Sequence, residues 1–173
     1  VTPKVILVGL PGTGKSTTGR RLARMLVVPF ADSDELVEQA TGRTVRDIFA
    51  DDGEAAFRAL EAEAIAAALE GFDGVLALGG GALTTDSTRA AIAASGIPVA
   101  RLQATLATLA ARVGDGHTRP LLADDPAARL AELAEQRDVL YAEVATLNVQ
   151  TDERPPGQVA AHIAAKIHKQ VST

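Results

Sequence analysis

The chain has 173 residues and a formal net charge of −5, with 47% apolar and 23% charged residues. That length suits one compact domain with its own core, and the acidic balance without basic runs excludes a nucleic-acid-coating or anionic-membrane-binding protein. Without cysteine the chain forms neither disulfides nor thiolate metal sites, which fits a reducing cytoplasm, and no apolar run reaches the ~18 residues needed to span a bilayer.

Residues 4–8 read as a first strand, so close to Val1 that no signal peptide is expected. The strand runs into GLPGTGKST, residues 9–17, which matches the phosphate-binding loop pattern at every position. Gly9, Gly12 and Gly14 let the backbone curl around an anion, and the helix expected over 15–26 adds its positive N-terminal end. Lys15, one of four lysines in the chain, reaches the β- and γ-phosphates of a nucleotide, and Ser16 offers a hydroxyl to Mg²⁺. ATP with Mg²⁺ is the expected ligand.

A second strand, 29–33, ends in Asp32-Ser33-Asp34. One carboxylate can support Mg²⁺ and the other can hold the hydroxyl that accepts a phosphoryl group. The plainer alternative is that Ser33 or Asp34 caps the next helix. Helices follow over 34–41, 45–51 and 54–69. On the last of these, Arg58 and Glu61 share a face. They are either an exposed pair worth only ~0.3 kcal/mol or a guanidinium held by Glu61 and aimed at a substrate carboxylate. A third strand, 74–78, leads into Gly79-Gly80-Gly81, bare backbone that suits a close approach or a loose turn.

A helix over 86–94 and a strand over 97–102 come next, then a helix over 105–113 and a glycine-containing segment. Gly42, Gly71 and Gly96 sit where C-terminal caps belong, and Asp86 and Thr105 read as N-caps. Residues 112–124 read as a mobile lid that carries Arg119 toward a transferring phosphate; the competing reading is an exposed loop. His117 has no neighbour at metal-ligand spacing. A long helix, 126–144, carries Arg137 and Tyr141. A last strand, 146–150, precedes Arg154-Pro155-Pro156 and a final helix, 157–171, whose His162 and His168 read as structural or exposed. The alternation of strands and helices predicts a single α/β domain over 1–173, a parallel sheet covered on both faces, with ligands beyond the carboxyl ends of the strands.

The ordered set GLPGTGKST, DSD, FRALE, LGGGA, RPLL, QRDVLY and the late RPP resembles the shikimate kinases, in particular the actinobacterial type, over essentially the whole chain. The resemblance implies a three-layer fold with a five-stranded parallel sheet of order 2-3-1-4-5. It implies phosphorylation of the 3-hydroxyl of shikimate by ATP, a step toward chorismate and the aromatic amino acids, by a cytoplasmic monomer. By the same resemblance, Lys15, Asp34 and Arg119 are catalytic, and Ser16 and Asp32 serve Mg²⁺. ATP is held by Gly12, Thr13, Gly14, Lys15, Ser16, Thr17, Arg112, Arg119, Arg154 and Pro156. Shikimate is held within and beyond a region spanning 33–61 by Asp34, Arg58, Glu61, Gly79, Gly80, Gly81 and Arg137. Two alternatives stay open at this level: a gluconate-kinase-like enzyme of the same fold and a nucleotide-binding module without catalysis.

Overall fold

The computed structural model describes residues 1–113 and 125–171. Its strands are β1 (Val5–Val8), β2 (Phe30–Asp32), β3 (Val75–Ala77), β4 (Val99–Gln103) and β5 (Leu147–Gln150). All pair in parallel in the order β2-β3-β1-β4-β5. Every residue of β1 and β3 is buried, which is why these segments read as apolar runs and not as alternating ones.

The helices are α1 (Lys15–Leu26), α2 (Ser33–Thr41), α3 (Val45–Asp52), α4 (Glu54–Gly71), α5 (Asp86–Ser95), α6 (Leu106–Val113), α7 (Pro126–Val144) and α8 (Pro156–Val171). They divide between the two sheet faces. Val5, Leu7, Val75, Ala77 and Leu102 pack against Leu22 of α1 and Val159 and Ile163 of α8. Ile6, Val8, Leu76 and Leu78 pack against Ile65, Ile92, Leu109, Leu130 and Tyr141 on the other face. A separate small cluster, Val37, Ile48 and Phe57, holds α2, α3 and α4 together beside the sheet edge. The aromatic-poor composition is therefore met by branched aliphatics and alanine, with α1 brought so close to β2 that a Cβ on Gly19 would overlap the Phe30 ring.

Helix ends follow local chemistry with two adjustments. Gly42 and Gly96 cap α2 and α5 in the left-handed conformation, as expected. Gly71 does not act as a cap: it lies inside the last turn of α4, which Phe72 ends in extended backbone while packing on the core. Asp86 is the first residue of α5, not its cap; Thr85 takes that place, and Asp86 pairs with Arg89 at 2.7 Å. At α6 the expected cap holds, with the Thr108 N–H donating to Thr105 Oγ1 over 3.3 Å. A short 3-10 turn, Ala82–Thr84, follows the glycine triplet and has no counterpart in the sequence reading. All five strand ends that matter for chemistry open on one edge of the sheet, with β1 between neighbours approached from opposite directions.

Candidate active site

The loop after β1 needs its glycines for two different reasons. Gly9, Gly12 and Gly14 have φ of 149°, 86° and 90°, values that side chains with a Cβ rarely adopt. Gly9 also lies against β4, where a Cβ would be 2.5 Å from the Leu102 carbonyl oxygen. Gly14 is the N-cap of α1, so the loop ends where backbone N–H groups of the helix are unpaired within it. Thr13 ties the turn by donating from Oγ1 to the Leu10 carbonyl over 2.8 Å. Lys15 Nζ donates to the carbonyls of Gly9 (2.7 Å) and Leu10 (3.0 Å), which keeps the ammonium at the loop.

The DSD triplet divides at the end of β2. Asp32 ends the strand and caps α2, accepting from the Asp34 N–H through Oδ1 at 2.9 Å. Its other oxygen accepts from Ser16 Oγ at 3.1 Å. Capping is thus real, but Asp32 does it, not Ser33 or Asp34. The Ser16 hydroxyl and Asp32 carboxylate together form a small oxygen donor set. Mg²⁺ is held by one or two protein oxygens with phosphates and water completing the octahedron, so these residues fit it. Among the described residues no group of three or more His, Cys, Asp or Glu could hold a metal alone.

Ser33 is fully buried, and its Oγ accepts from the Gly79 N–H at 2.8 Å. That bond fastens the glycine triplet to the start of α2. The triplet is a meeting point for four charged side chains. A Cβ on Gly79 would be 2.7 Å from Asp34 Oδ1 and 3.0 Å from Glu61 Oε2. One on Gly80 would be 3.3 Å from Arg137 Nη1. One on Gly81 would overlap Arg58 Nη2 and stand 2.9 Å from Arg137 Nη2. None of the three has a left-handed φ; they are glycines because carboxylates and guanidiniums occupy the space of a side chain.

The Arg58–Glu61 pair is buried, so its reading as an exposed helix pair is overturned. Arg58 Nη1 donates to Glu61 Oε1 at 2.8 Å, with the side chains 13% and 1% exposed. Arg58 Nη2 also reaches Glu54 Oε1 at 3.3 Å. Glu61 Oε2 and Arg58 Nε are buried without a hydrogen-bond partner among the described residues. Burial raises the Glu61 carboxyl to about 7, outweighing the pull of Arg58. Burial and the neighbouring Asp32 raise Asp34 to about 6, against Arg58 and Lys15. Burial lowers the Arg137 pKa from its ordinary value.

Tyr141 lies one turn after Arg137 on α7. Its hydroxyl donates a short hydrogen bond to the Gly80 carbonyl, beneath the Arg137 guanidinium. Burial pushes the phenol up to about 12.

On the other side of the loop, Arg112 in the last turn of α6 donates to the Gly12 carbonyl (3.1 Å), to Thr151 Oγ1 (3.1 Å) and to the Thr151 carbonyl (2.8 Å). Asp152 accepts from the N–H and hydroxyl of Thr105 at the start of α6. The Thr108 hydroxyl first, and then Thr105, hold the Asp152 carboxyl below its ordinary value. Arg154 donates to the Gln150 carbonyl at 3.0 Å, and Pro156 opens α8. Residues 151–156 are therefore laced to α6 and the phosphate loop.

The structure brings Lys15, Ser16, Asp32, Asp34, Arg58, Glu61, Gly79, Gly80, Gly81 and Arg137 to the same sheet edge, with Gly12, Thr13, Gly14, Thr17, Arg112, Arg154 and Pro156 beside them. Arg119, His117 and most of the lid expected over 112–124 lie outside the described residues. Ser33, Tyr141, Thr151 and Asp152 were missed in the sequence. Ser33 was masked by its two acidic neighbours. Tyr141 carried one usable signal, its place four residues after Arg137 and so on the same helix face.

A family model described as shikimate kinase matches residues 11–168. The chain belongs to the shikimate kinase family. A shikimate kinase of Salinispora arenicola is 50% identical over 165 residues, covering 95% of this chain and 98% of the relative. One of Mycobacterium tuberculosis is 48% identical over 168 residues, covering 96% and 94%. Among solved structures, the shikimate kinase of Acinetobacter baumannii in complex with shikimate superposes with a TM-score of 0.92 at 33% identity, covering 98% of this chain and 94% of that one. Family membership and this fold agree with the resemblance read from the motifs, and neither favours a gluconate kinase or a silent nucleotide-binding module.

Proposed function

We propose that the protein transfers the γ-phosphoryl group of ATP to the 3-hydroxyl of shikimate, giving shikimate 3-phosphate and ADP. The observation that carries this reading is the convergence of Arg58, Arg137, Asp34 and Glu61 on the backbone of Gly79–Gly81. Two guanidiniums side by side suit one carboxylate, and a nearby carboxylate suits a hydroxyl. A hydroxylated ring acid meets both demands at once.

In this mechanism Arg58 and Arg137 hold the substrate carboxylate, Glu61 orients Arg58, and the glycine backbone supports the ring. Fixing the ring at one end sets the acceptor oxygen in line with the γ-phosphorus. Lys15 and the N–H groups of Gly12 to Thr17 hold the phosphates. Arg112, Arg154 and Pro156 flank the adenine. Ser16 and Asp32 would hold Mg²⁺, which when bound supplies charge neutralisation at the phosphate oxygens. Asp34, with its carboxyl at about 6, is ionised at neutral pH and accepts the hydroxyl proton. The hydroxyl oxygen bonds to the γ-phosphorus, the bond from that phosphorus to the β–γ bridging oxygen breaks, and ADP leaves with the electron pair. Arg119, carried by a lid over 112–124, completes the charge on the transferring group and excludes water.

The reading includes a cytoplasmic monomer. Among the described residues no helix is long and apolar enough to cross a membrane. The deciding experiment is ADP release with Mg-ATP, with and without shikimate. Release that depends on shikimate, with phosphate recovered on the 3-hydroxyl, supports the reading. Binding of ATP without shikimate-dependent turnover overturns it.

A further inference from the structure

We propose that Tyr141 is a positioning residue for the carboxylate clamp, holding the glycine platform on which the Arg137 guanidinium lies. The role rests on the function proposed above. A phenol has one proton to donate and lone pairs to accept with. The Tyr141 proton is committed to the Gly80 carbonyl. The Arg137 guanidinium lies over the same backbone, with Nη1 3.3 Å from where a Cβ on Gly80 would stand. One hydroxyl therefore sets the height of the platform backbone under the guanidinium, where Gly80 and Gly81 leave room for Arg137 Nη1 and Nη2.

Packing buries the ring, and the hydroxyl ties its tip to the platform. One flank of Tyr141 borders a cavity of about 280 Å³, shared with Leu10, Arg101, Leu109, Ala134 and Asp138. On that flank Arg101, paired with Asp138 at 3.0 Å, stands 6.0 Å from the ring centroid. The directional restraint is the hydrogen bond from the hydroxyl to the Gly80 carbonyl. Phenylalanine keeps the ring and removes that bond, leaving the Gly80 carbonyl without its donor and the platform under Arg137 free to shift.

The test is Tyr141→Phe, assayed for KM toward shikimate and toward ATP, alone and combined with Arg137→Ala. The expected result is a rise of about fivefold in the shikimate KM, the scale of one lost neutral hydrogen bond, with the ATP KM within about twofold. In the Arg137→Ala background the same change should have much less effect, because the group it orients is gone. Equal changes in both KM values, full additivity with Arg137→Ala, or a lowered melting temperature with an unchanged shikimate KM would each overturn the role. The chain has one tyrosine, so fluorine NMR of wild-type enzyme carrying fluorotyrosine gives a second measurement independent of any variant's folding. Its resonance should move on saturation with shikimate and move less with the methyl ester, which lacks the anionic carboxylate. An unmoved resonance overturns the proposal. Absence of shikimate turnover in the wild type would instead remove the underlying function, and is seen before any variant is made.

Discussion

Arg58 and Glu61 are joined by a 2.8 Å hydrogen bond inside the protein, with only 1% of the Glu61 side chain exposed. The guanidinium is thus aimed at Gly81, not at solvent. Burying an ion pair adds little net stability against an apolar pair, but removing one partner strands the other. Glu61→Ala is expected to lower stability by about 2–4 kcal/mol and to raise the shikimate KM at least about tenfold. Urea unfolding and steady-state kinetics check the two effects; a loss of stability with normal shikimate KM would make the pair purely structural.

Gly81→Ala probes the platform. Gly81 has φ −101° and ψ 4°, which alanine adopts readily, so the backbone is expected to fold. The added Cβ would overlap Arg58 Nη2 and crowd Arg137 Nη2 at 2.9 Å. Both guanidiniums must shift, and kcat/KM for shikimate should fall about 100-fold or more, with ATP affinity held. Unchanged kinetics would show that the arginines reach the substrate from elsewhere.

The raised carboxyls link the site to folding stability. Asp34 titrates near 6 in the folded chain against an ordinary 3.8, and Glu61 near 7 against 4.5. Between those values the folded state binds more protons than the unfolded one, so these groups make the protein less stable as pH rises from about 4 to 7. Asp34→Asn removes one such group. In metal-free buffer it should gain about 1–2 kcal/mol over wild type as pH rises through that window, while losing most turnover. Denaturant titrations at pH 4, 5.5 and 7 check the slope; a gain that shrinks with rising pH contradicts it.

Val27 ends α1 with φ 57° and ψ 47°, and its N–H returns to the Ala23 and Arg24 carbonyls. A β-branched residue is strained in this left-handed geometry, where glycine is at ease. Val27 is also 89% exposed, so its side chain contributes little packing. Val27→Gly is expected to stabilise by about 0.5–1 kcal/mol, raising the melting temperature by about 1–4 °C with activity unchanged. Calorimetry showing a lower melting temperature would refute the strain.

What the sequence determined by itself was whatever depends on neighbours along the chain. The loop Gly9–Thr17 needs glycine angles, a lysine and a helix start within nine residues, so its chemistry is legible locally. Buried parallel strands read as apolar runs, and Gly42, Gly96 and Thr105 declared helix ends. The order and spacing of the later motifs sufficed to indicate the family. Only the tertiary structure decided what depends on distant contacts. Arg58 and Glu61 have the spacing of any exposed helix pair; the packing of α4 against α2, α3 and the turn after the glycine triplet buries them. Gly79–Gly81 could have been a loose turn until Asp34, Arg58, Glu61 and Arg137, drawn from three helices, were seen to fill the space above them. Ser33 and Tyr141 hold that platform through hydrogen bonds spanning 46 and 61 residues. No local pattern encodes such a bond, because its partners meet only when the sheet is assembled in the order β2-β3-β1-β4-β5.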